Sequence, residues 1–211
     1  MNSKKTRTLG AILYNDFELL DLYGPLEMFG NVGTAVKIVT VAEKAGAVRS
    51  AQGPQTVAEY GFDDSPELDL LLLPGGVGTI PELQNEAMLT FLQERAKTAE
   101  ATMSVCSGSA ILAKAGLLNG RRATSNKLWF SLATTQSDEV NWVEEARWVE
   151  DGPFITSSGV SAGTDMALAV IAKLFGRDAA KRIAIVTEYE WQEDADRDPF
   201  HKYLNKGNVP A

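Results

Sequence analysis

The stretch Ala101-Thr102-Met103-Ser104-Val105-Cys106-Ser107-Gly108-Ser109-Ala110-Ile111-Leu112 admits few local structures. A short apolar run stops at Cys106, and the small residues Ser107, Gly108 and Ser109 lead into a helical run from Ala110 to Leu118. That order predicts strand, tight turn, helix. The same geometry underlies nucleophile turns of the Gly-x-Ser-x-Gly type, where small neighbours let strand and helix approach closely and the central side chain stands at the top of a sheet. Here that side chain is a thiol, and a helix N-terminus beneath it favours thiolate. A lone free cysteine is more often a buried structural residue. The position of this one, at the carboxyl end of a strand, favours a functional role.

The rest of the chain alternates between strand-like and helix-like segments. Thr8 to Tyr14 reads as a buried first strand, and Val36 to Ala42, rich in β-branched residues, as a second. Between them Gly24-Pro25 breaks the pattern, so that Pro25 opens a helix over Leu26 to Phe29. Asp21, among apolar neighbours just past the first strand, is either a water-facing cap or a carboxyl with a raised pKa, and the cap is the simpler reading. Val48 to Asp64 reads as a small hairpin, and Leu68 to Leu73 as a strand running into Pro74-Gly75-Gly76-Val77-Gly78. That loop lacks the Lys-Ser/Thr of a P-loop and the dinucleotide fingerprint; its glycines suit backbone N–H groups facing a ligand or a developing negative charge. Asn85 caps a helix from Glu86 to Lys97. After the cysteine unit come a short strand at Arg122 to Ser125, a short helix from Asn126 to Leu132, and a hairpin over Asn141 to Ser157 turning at Asp151-Gly152. A long helix, Ala162 to Phe175, is closed by Gly176, and a last one runs from Ala179 to Trp191. The acidic run Glu193 to Asp198 reads as solvated surface. Strands alternating with helices give an α/β fold, a doubly wound, mostly parallel sheet with helices on both faces. Asp21, Gly75-Gly76 and Cys106 then share its carboxyl edge, where ligands bind.

Composition narrows the function. The 211 residues, 45% hydrophobic and 23% charged, fit one domain with polar tails at 1–7 and 192–211. A net charge of −8 argues against nucleic-acid partners. One histidine and one cysteine leave the ligand set for zinc short, and neither a metal nor another cofactor is expected. No apolar run approaches the roughly 20 residues that span a bilayer, and Met1 to Arg7 lacks the apolar centre of a signal peptide, so a cytoplasmic protein without a membrane partner is expected.

The set Asp21-Leu22-Tyr23-Gly24-Pro25, Leu73-Pro74-Gly75-Gly76, Ser104-Val105-Cys106-Ser107-Gly108, Ala115 to Thr124, and Ser161-Ala162-Gly163-Thr164-Asp165 resembles the DJ-1/PfpI (ThiJ) superfamily of glutamine-amidotransferase-like proteins, in the same order over about residues 8 to 190. Within it the pattern is similar to isocyanide hydratases. The resemblance implies a flavodoxin-like sandwich, a homodimer, and Cys106 as nucleophile beside an acid from the loop after the first strand, which matches Asp21 better than Glu18. It also implies oxyanion donors at the N–H groups of Gly76 and Ser107. An ionised carboxylate beside the thiol would raise its pKa, so the pair works only if Asp21 keeps the proton and donates it to a Cys106 thiolate. Many relatives carry a His where this chain has Asn126, and the one histidine is His201, far along the chain. A Cys-His dyad for peptide or amide hydrolysis is therefore disfavoured.

Hydration of a small-molecule isocyanide to an N-formamide, through a Cys106 thioimidate, makes no demand for that His. A glyoxalase or deglycase-like activity on 2-oxoaldehydes would use the same pair, and a non-enzymatic stress-response protein would sense through oxidation of Cys106. A ligand-sensing regulator is set aside, because about 20 residues after the last helix are too few for a DNA-binding module. Tyr23, Asn126, Trp129 and Val160 are candidate pocket residues for an apolar substrate; Ser161 and Thr164 read as helix caps, and Arg121 and Arg122 as surface charges.

Overall fold

The computed structural model describes residues 5–206; the outermost parts of both expected tails, 1–4 and 207–211, lie outside the described residues. Its centre is a strand made almost entirely of leucine. In β5 (Leu70–Leu73) every side chain is buried, because a strand covered on both faces of a parallel sheet has no wet side to mark with polar residues. Around it lie β1 (Arg7–Ile12), β2 (Val36–Val41) and β6 (Ala101–Ser104), then β10 (Phe154–Ser157) and β9 (Trp148–Asp151), in the order β2-β1-β5-β6-β10-β9. All pairings are parallel except the β9–β10 hairpin, in which Phe154 faces Asp151 and Ser157 faces Trp148. Two small sheets sit apart: the antiparallel pair β3 (Gly46–Arg49) and β4 (Gln55–Ala58), and the two-residue parallel pair β7 (Arg122–Ala123) and β8 (Asn141–Trp142).

Two groups of helices flank the sheet. One holds α1 (Leu19–Gly30), α6 (Ala162–Phe175) and α7 (Arg177–Val186), with α6 packed on both of the others; the second holds α2 (Thr79–Glu82), α3 (Glu86–Ala96), α4 (Gly108–Lys114) and α5 (Phe130–Thr134). The expected α/β sandwich with a mostly parallel sheet is thus the architecture observed. Asn85 caps α3 as expected, accepting the N–H groups of Ala87 and Met88. No helix among the described residues is long and apolar enough to cross a membrane.

Five local expectations need correction. Pro25 does not open a helix but lies inside α1, which begins six residues earlier. It leaves the Asp21 carbonyl without its intrahelical donor, a loss confined to the first turns and outweighed by burial of Leu22, Met28 and Phe29. Asp21 therefore sits in the first turn of α1, fully buried, and is no water-facing cap. The helix expected from Asn126 starts only at Phe130, because the Asn126 side chain accepts the Trp129 N–H and holds 126–129 as a turn. The last helix ends at Val186, short of Trp191.

The fifth lies in the acidic run, where Glu193, Asp194 and Asp196 are exposed as expected but Asp198 is not. Asp198 is only 2% exposed and lies with Arg147 and Lys127 in a buried charged cluster, its oxygens 3.9 Å from Arg147 Nη1 and from Lys127 Nζ. Arg147 also binds Asp165 of α6, at 2.6 Å, and burial pushes Lys127 down to about 8. A charge run reads as surface when only its own neighbours are seen; the partners of Asp198 lie 51 and 71 positions away.

Candidate active site

Four strand ends converge at one edge of the sheet. Cys106, two residues past β6 and two before α4, has φ 56°, in the left-handed region that costs a non-glycine residue of order 1–3 kcal/mol. Surrounding hydrogen bonds hold it there. Its N–H donates to Ser158 O at 3.1 Å, beyond the end of β10, and its carbonyl accepts the hydroxyls of Ser109 and Ser125, each at 3.1 Å. The turn is tight enough to require glycine: a Cβ on Gly108 would lie 2.6 Å from Leu73 O and 2.7 Å from Pro74 O. On Gly75 it would lie 2.6 Å from Ser107 N.

Asp21 reaches this turn from α1. Its Oδ2 accepts the Gly75 N–H at 2.8 Å, while Oδ1 has no hydrogen-bond partner, and the Cys106 thiol is close enough to influence the carboxyl. Burial raises its pKa from 3.8 to about 8; the Gly75 N–H opposes this, the charge of nearby Glu18 adds to it, and the thiol opposes it. Burial also pushes the Cys106 thiol well up, and a charge on Asp21 would push it further. The N–H and hydroxyl of Ser107 and the Asn126 amide pull the other way. The expectation that a helix N-terminus alone would lower the thiol pKa is therefore overturned: α4 has seven residues, and loss of water outweighs its dipole. At neutral pH both groups keep their protons, and Asp21, the more acidic of the two, is the one that titrates nearest that range.

Glu18 lies at the cavity wall, with its N–H on Gly75 O at 2.7 Å and its carboxylate on the Gln52 amide at 2.6 Å. Of the expected oxyanion donors, the Ser107 N–H faces the sulfur, whereas the Gly76 N–H donates to Ser107 Oγ at 3.1 Å. Ser107 Oγ in turn lies 2.9 Å from Thr79 Oγ1, and Thr79 3.1 Å from the hydroxyl of Tyr14, which donates to Pro74 O. No sequence signal marks Thr79 or Tyr14, because hydroxyls paired across 28 and 65 positions leave no local pattern.

The sulfur, on a residue 7% exposed, opens into a cavity of about 320 Å³. Asn126, Trp129 and Val160 line it, together with Val77, Ile80, Leu128 and Leu132, which the sequence does not single out. Tyr23 lies elsewhere: it is 44% exposed and its hydroxyl pairs with Thr56 Oγ1 at 2.8 Å, against the β3–β4 hairpin. An acid that keeps its proton, a thiol on a strained turn and an apolar chamber make an arrangement for adding a nucleophile and a proton to a small uncharged electrophile.

Comparison with known proteins places the fold in a family. The chain is 34% identical over 181 residues to the isonitrile hydratase of Pseudomonas putida, covering 86% of this chain and 78% of that enzyme. The crystal structure of a ThiJ/PfpI family protein from Pseudomonas syringae superposes with a TM-score of 0.80 at 34% identity, covering 94% of this chain and 80% of that one. A helix-turn-helix type transcriptional regulator of Pseudomonas aeruginosa is 29% identical over 217 residues, but this chain spans only 58% of that regulator's length. The family model described as DJ-1/PfpI matches residues 9–173, nearly all of the sheet and its crossover helices, and the chain belongs to the DJ-1/PfpI family.

Proposed function

We propose that the protein is a cysteine-dependent hydratase of small apolar electrophiles, converting an isocyanide to an N-formamide. The observation that carries this reading is the buried Asp21 carboxyl, raised to about 8, beside a thiol whose residue lines an apolar chamber. Fold alone would not distinguish an enzyme from a regulator, since both occur among its relatives.

Burial favours the proton on sulfur, so the reactive form is the less populated arrangement of the one-proton pair, with Asp21 protonated and Cys106 as thiolate, stabilised by the Ser107 N–H and the Asn126 amide. Sulfur forms a bond to the terminal carbon of R–NC as the Asp21 proton passes to that carbon, giving the thioimidate S–CH=N–R and leaving Asp21 as carboxylate. Water then adds its oxygen to the same carbon while Asp21 relays one of its protons to nitrogen. The tetrahedral S–CH(OH)–NH–R returns its hydroxyl proton to Asp21 as the C–S bond breaks, releasing HCO–NH–R and restoring the pair. Asn126 donates a hydrogen bond but cannot take up a proton, so expulsion of an amine from a peptide is not served here.

The test is turnover of an alkyl and an aryl isocyanide, followed by formation of the N-formamide. Cys106→Ala and Asp21→Asn are each expected to lose at least about 100-fold in kcat/KM, as for removal of a nucleophile or a proton donor. A wild-type protein inert to isocyanides yet consuming methylglyoxal overturns this reading in favour of a 2-oxoaldehyde substrate.

A further inference from the structure

A second cavity, of about 370 Å³, adjoins the one that holds the thiol. Asn126, Leu128 and Val160 line both, so the two chambers meet at those side chains. The far wall is built by Phe200 and Tyr203, from the part of the chain that reads in sequence as a polar tail. That segment is not loosely laid on the surface. Ala195 O accepts the Arg147 N–H at 2.7 Å, the Asp198 N–H donates to Glu145 O at 2.8 Å, and the Asp198 carboxylate enters the buried cluster with Arg147 and Lys127. At its other end the Asn205 N–H donates to Lys127 O at 2.7 Å, and the Asn205 side chain accepts the Ser131 N–H, also at 2.7 Å. Residues 195–205 thus form a strap pinned on both sides of the second cavity. Its last anchor holds the turn and helix that carry Trp129 and Leu132, which line the thiol chamber.

The one cationic side chain in the second cavity's lining is Lys127, and its Nζ is committed to Thr124 Oγ1 at 2.8 Å and Ala146 O at 2.7 Å. The rest of the lining is aromatic and aliphatic, with Ser158, Ser161, Asn126 and the Tyr203 phenol as its uncharged polar residues. A chamber of this size suits a ring or a branched chain, and its lining offers no charge to a charged group. Resting on the hydratase reading, we propose that the second cavity receives the nitrogen substituent of the substrate, making aryl and alicyclic isocyanides the preferred class, and that Phe200 and Tyr203 of the strap set that preference. An isocyanide is linear at the reacting end, so a carbon placed at Cys106 sends its substituent away from the sulfur, and Leu128 and Val160 are the surfaces along which it would pass.

The experiment measures kcat and KM for methyl, cyclohexyl and 2-naphthyl isocyanide with the wild type, Phe200→Ala, Tyr203→Ala and Tyr203→Phe. The expected result is a fall in the naphthyl-to-methyl ratio of kcat/KM by about tenfold in both alanine variants, carried mainly by KM, with Tyr203→Phe restoring most of it. Ser161→Leu, which narrows the chamber from the α6 side, is expected to lower the same ratio without touching the strap, so a failure of the strap variants to fold does not remove the test. A uniform loss across all three substrates, or an unaltered ratio, overturns the proposal. A parallel readout needs no turnover: the rate of Cys106 alkylation by iodoacetamide and by its N-naphthyl derivative. If no isocyanide is hydrated, the hydratase reading falls by itself. The chamber then stands if the naphthyl reagent loses its advantage in the variants, and falls if the two reagents respond alike.

Discussion

A carboxyl group deprived of water and given one N–H in exchange ionises reluctantly, and Asp21 is such a group. The consequence for stability follows from where its proton goes on unfolding. The unfolded chain releases it near 3.8 and the folded one near 8, so between those values the native state binds the proton and the unfolded state does not. This group's contribution is therefore fully favourable below pH 4 and is lost progressively as pH rises toward 8. Asp21→Asn, which has no proton to lose, is expected to gain on the wild type over that window by about 2 kcal/mol or more between pH 5 and pH 8, measured by urea unfolding at both. An equal difference at the two pH values would show that the carboxyl ionises freely in the native state. The identity of the acid was legible in the sequence; its burial was not, because the same short apolar context fits a helix cap at the surface and a first turn driven into the core.

The strand, turn and helix around Cys106 form the element most readable from composition alone, since small residues on both sides of a lone reactive one serve few other purposes. The structure adds the reason for their size. Gly108 faces two backbone carbonyls, Leu73 O and Pro74 O, that no rotamer change can move aside. Gly108→Ala is expected to destabilise by about 2 kcal/mol in urea unfolding and to slow Cys106 alkylation, because β5 and α4 must part and the strained φ of Cys106 relaxes with them. Retained stability would mean that the loop after β5 yields easily. Elements fixed by distant contacts were less legible. Asn141–Trp142 reads as one arm of a long hairpin but pairs in parallel with β7, and Pro25, a helix opener by local rules, sits in mid-helix because α1 packs against α6. The cavity wall shows the same limit: Asn126, Trp129 and Val160 carry chemical hints in the sequence, whereas Leu128, Leu132 and Ile80 look like any other core residues until the fold brings them round the sulfur.

At the scale of the whole molecule, the alternating pattern of the first 175 residues dictates the sheet and both helical layers, and the strap is what that pattern leaves out. Its anchor, Asp198, supplies the negative charge facing two buried cations. Asp198→Ala leaves Lys127 and Arg147 short of a partner and is expected to cost about 3 kcal/mol and to open 195–206 to proteolysis, read by urea unfolding and by mass mapping of a limited trypsin digest. A variant as stable and as resistant as the wild type would show that the main-chain contacts of the strap suffice without the charge. The bond from Ser131 to Asn205 spans 74 positions, and the strap it secures closes the second cavity, whereas the thiol chamber is lined by residues between 18 and 160. During synthesis the sheet, the strained cysteine and Asp21 can therefore come together while residues 176–205 are still unmade, but the second cavity must stay open on that side until residue 205 has emerged. For that interval the nascent protein holds an assembled thiol chamber with the neighbouring cavity unwalled, so the order in which the ribosome delivers the chain sets a period in which that flank lies open to stray molecules.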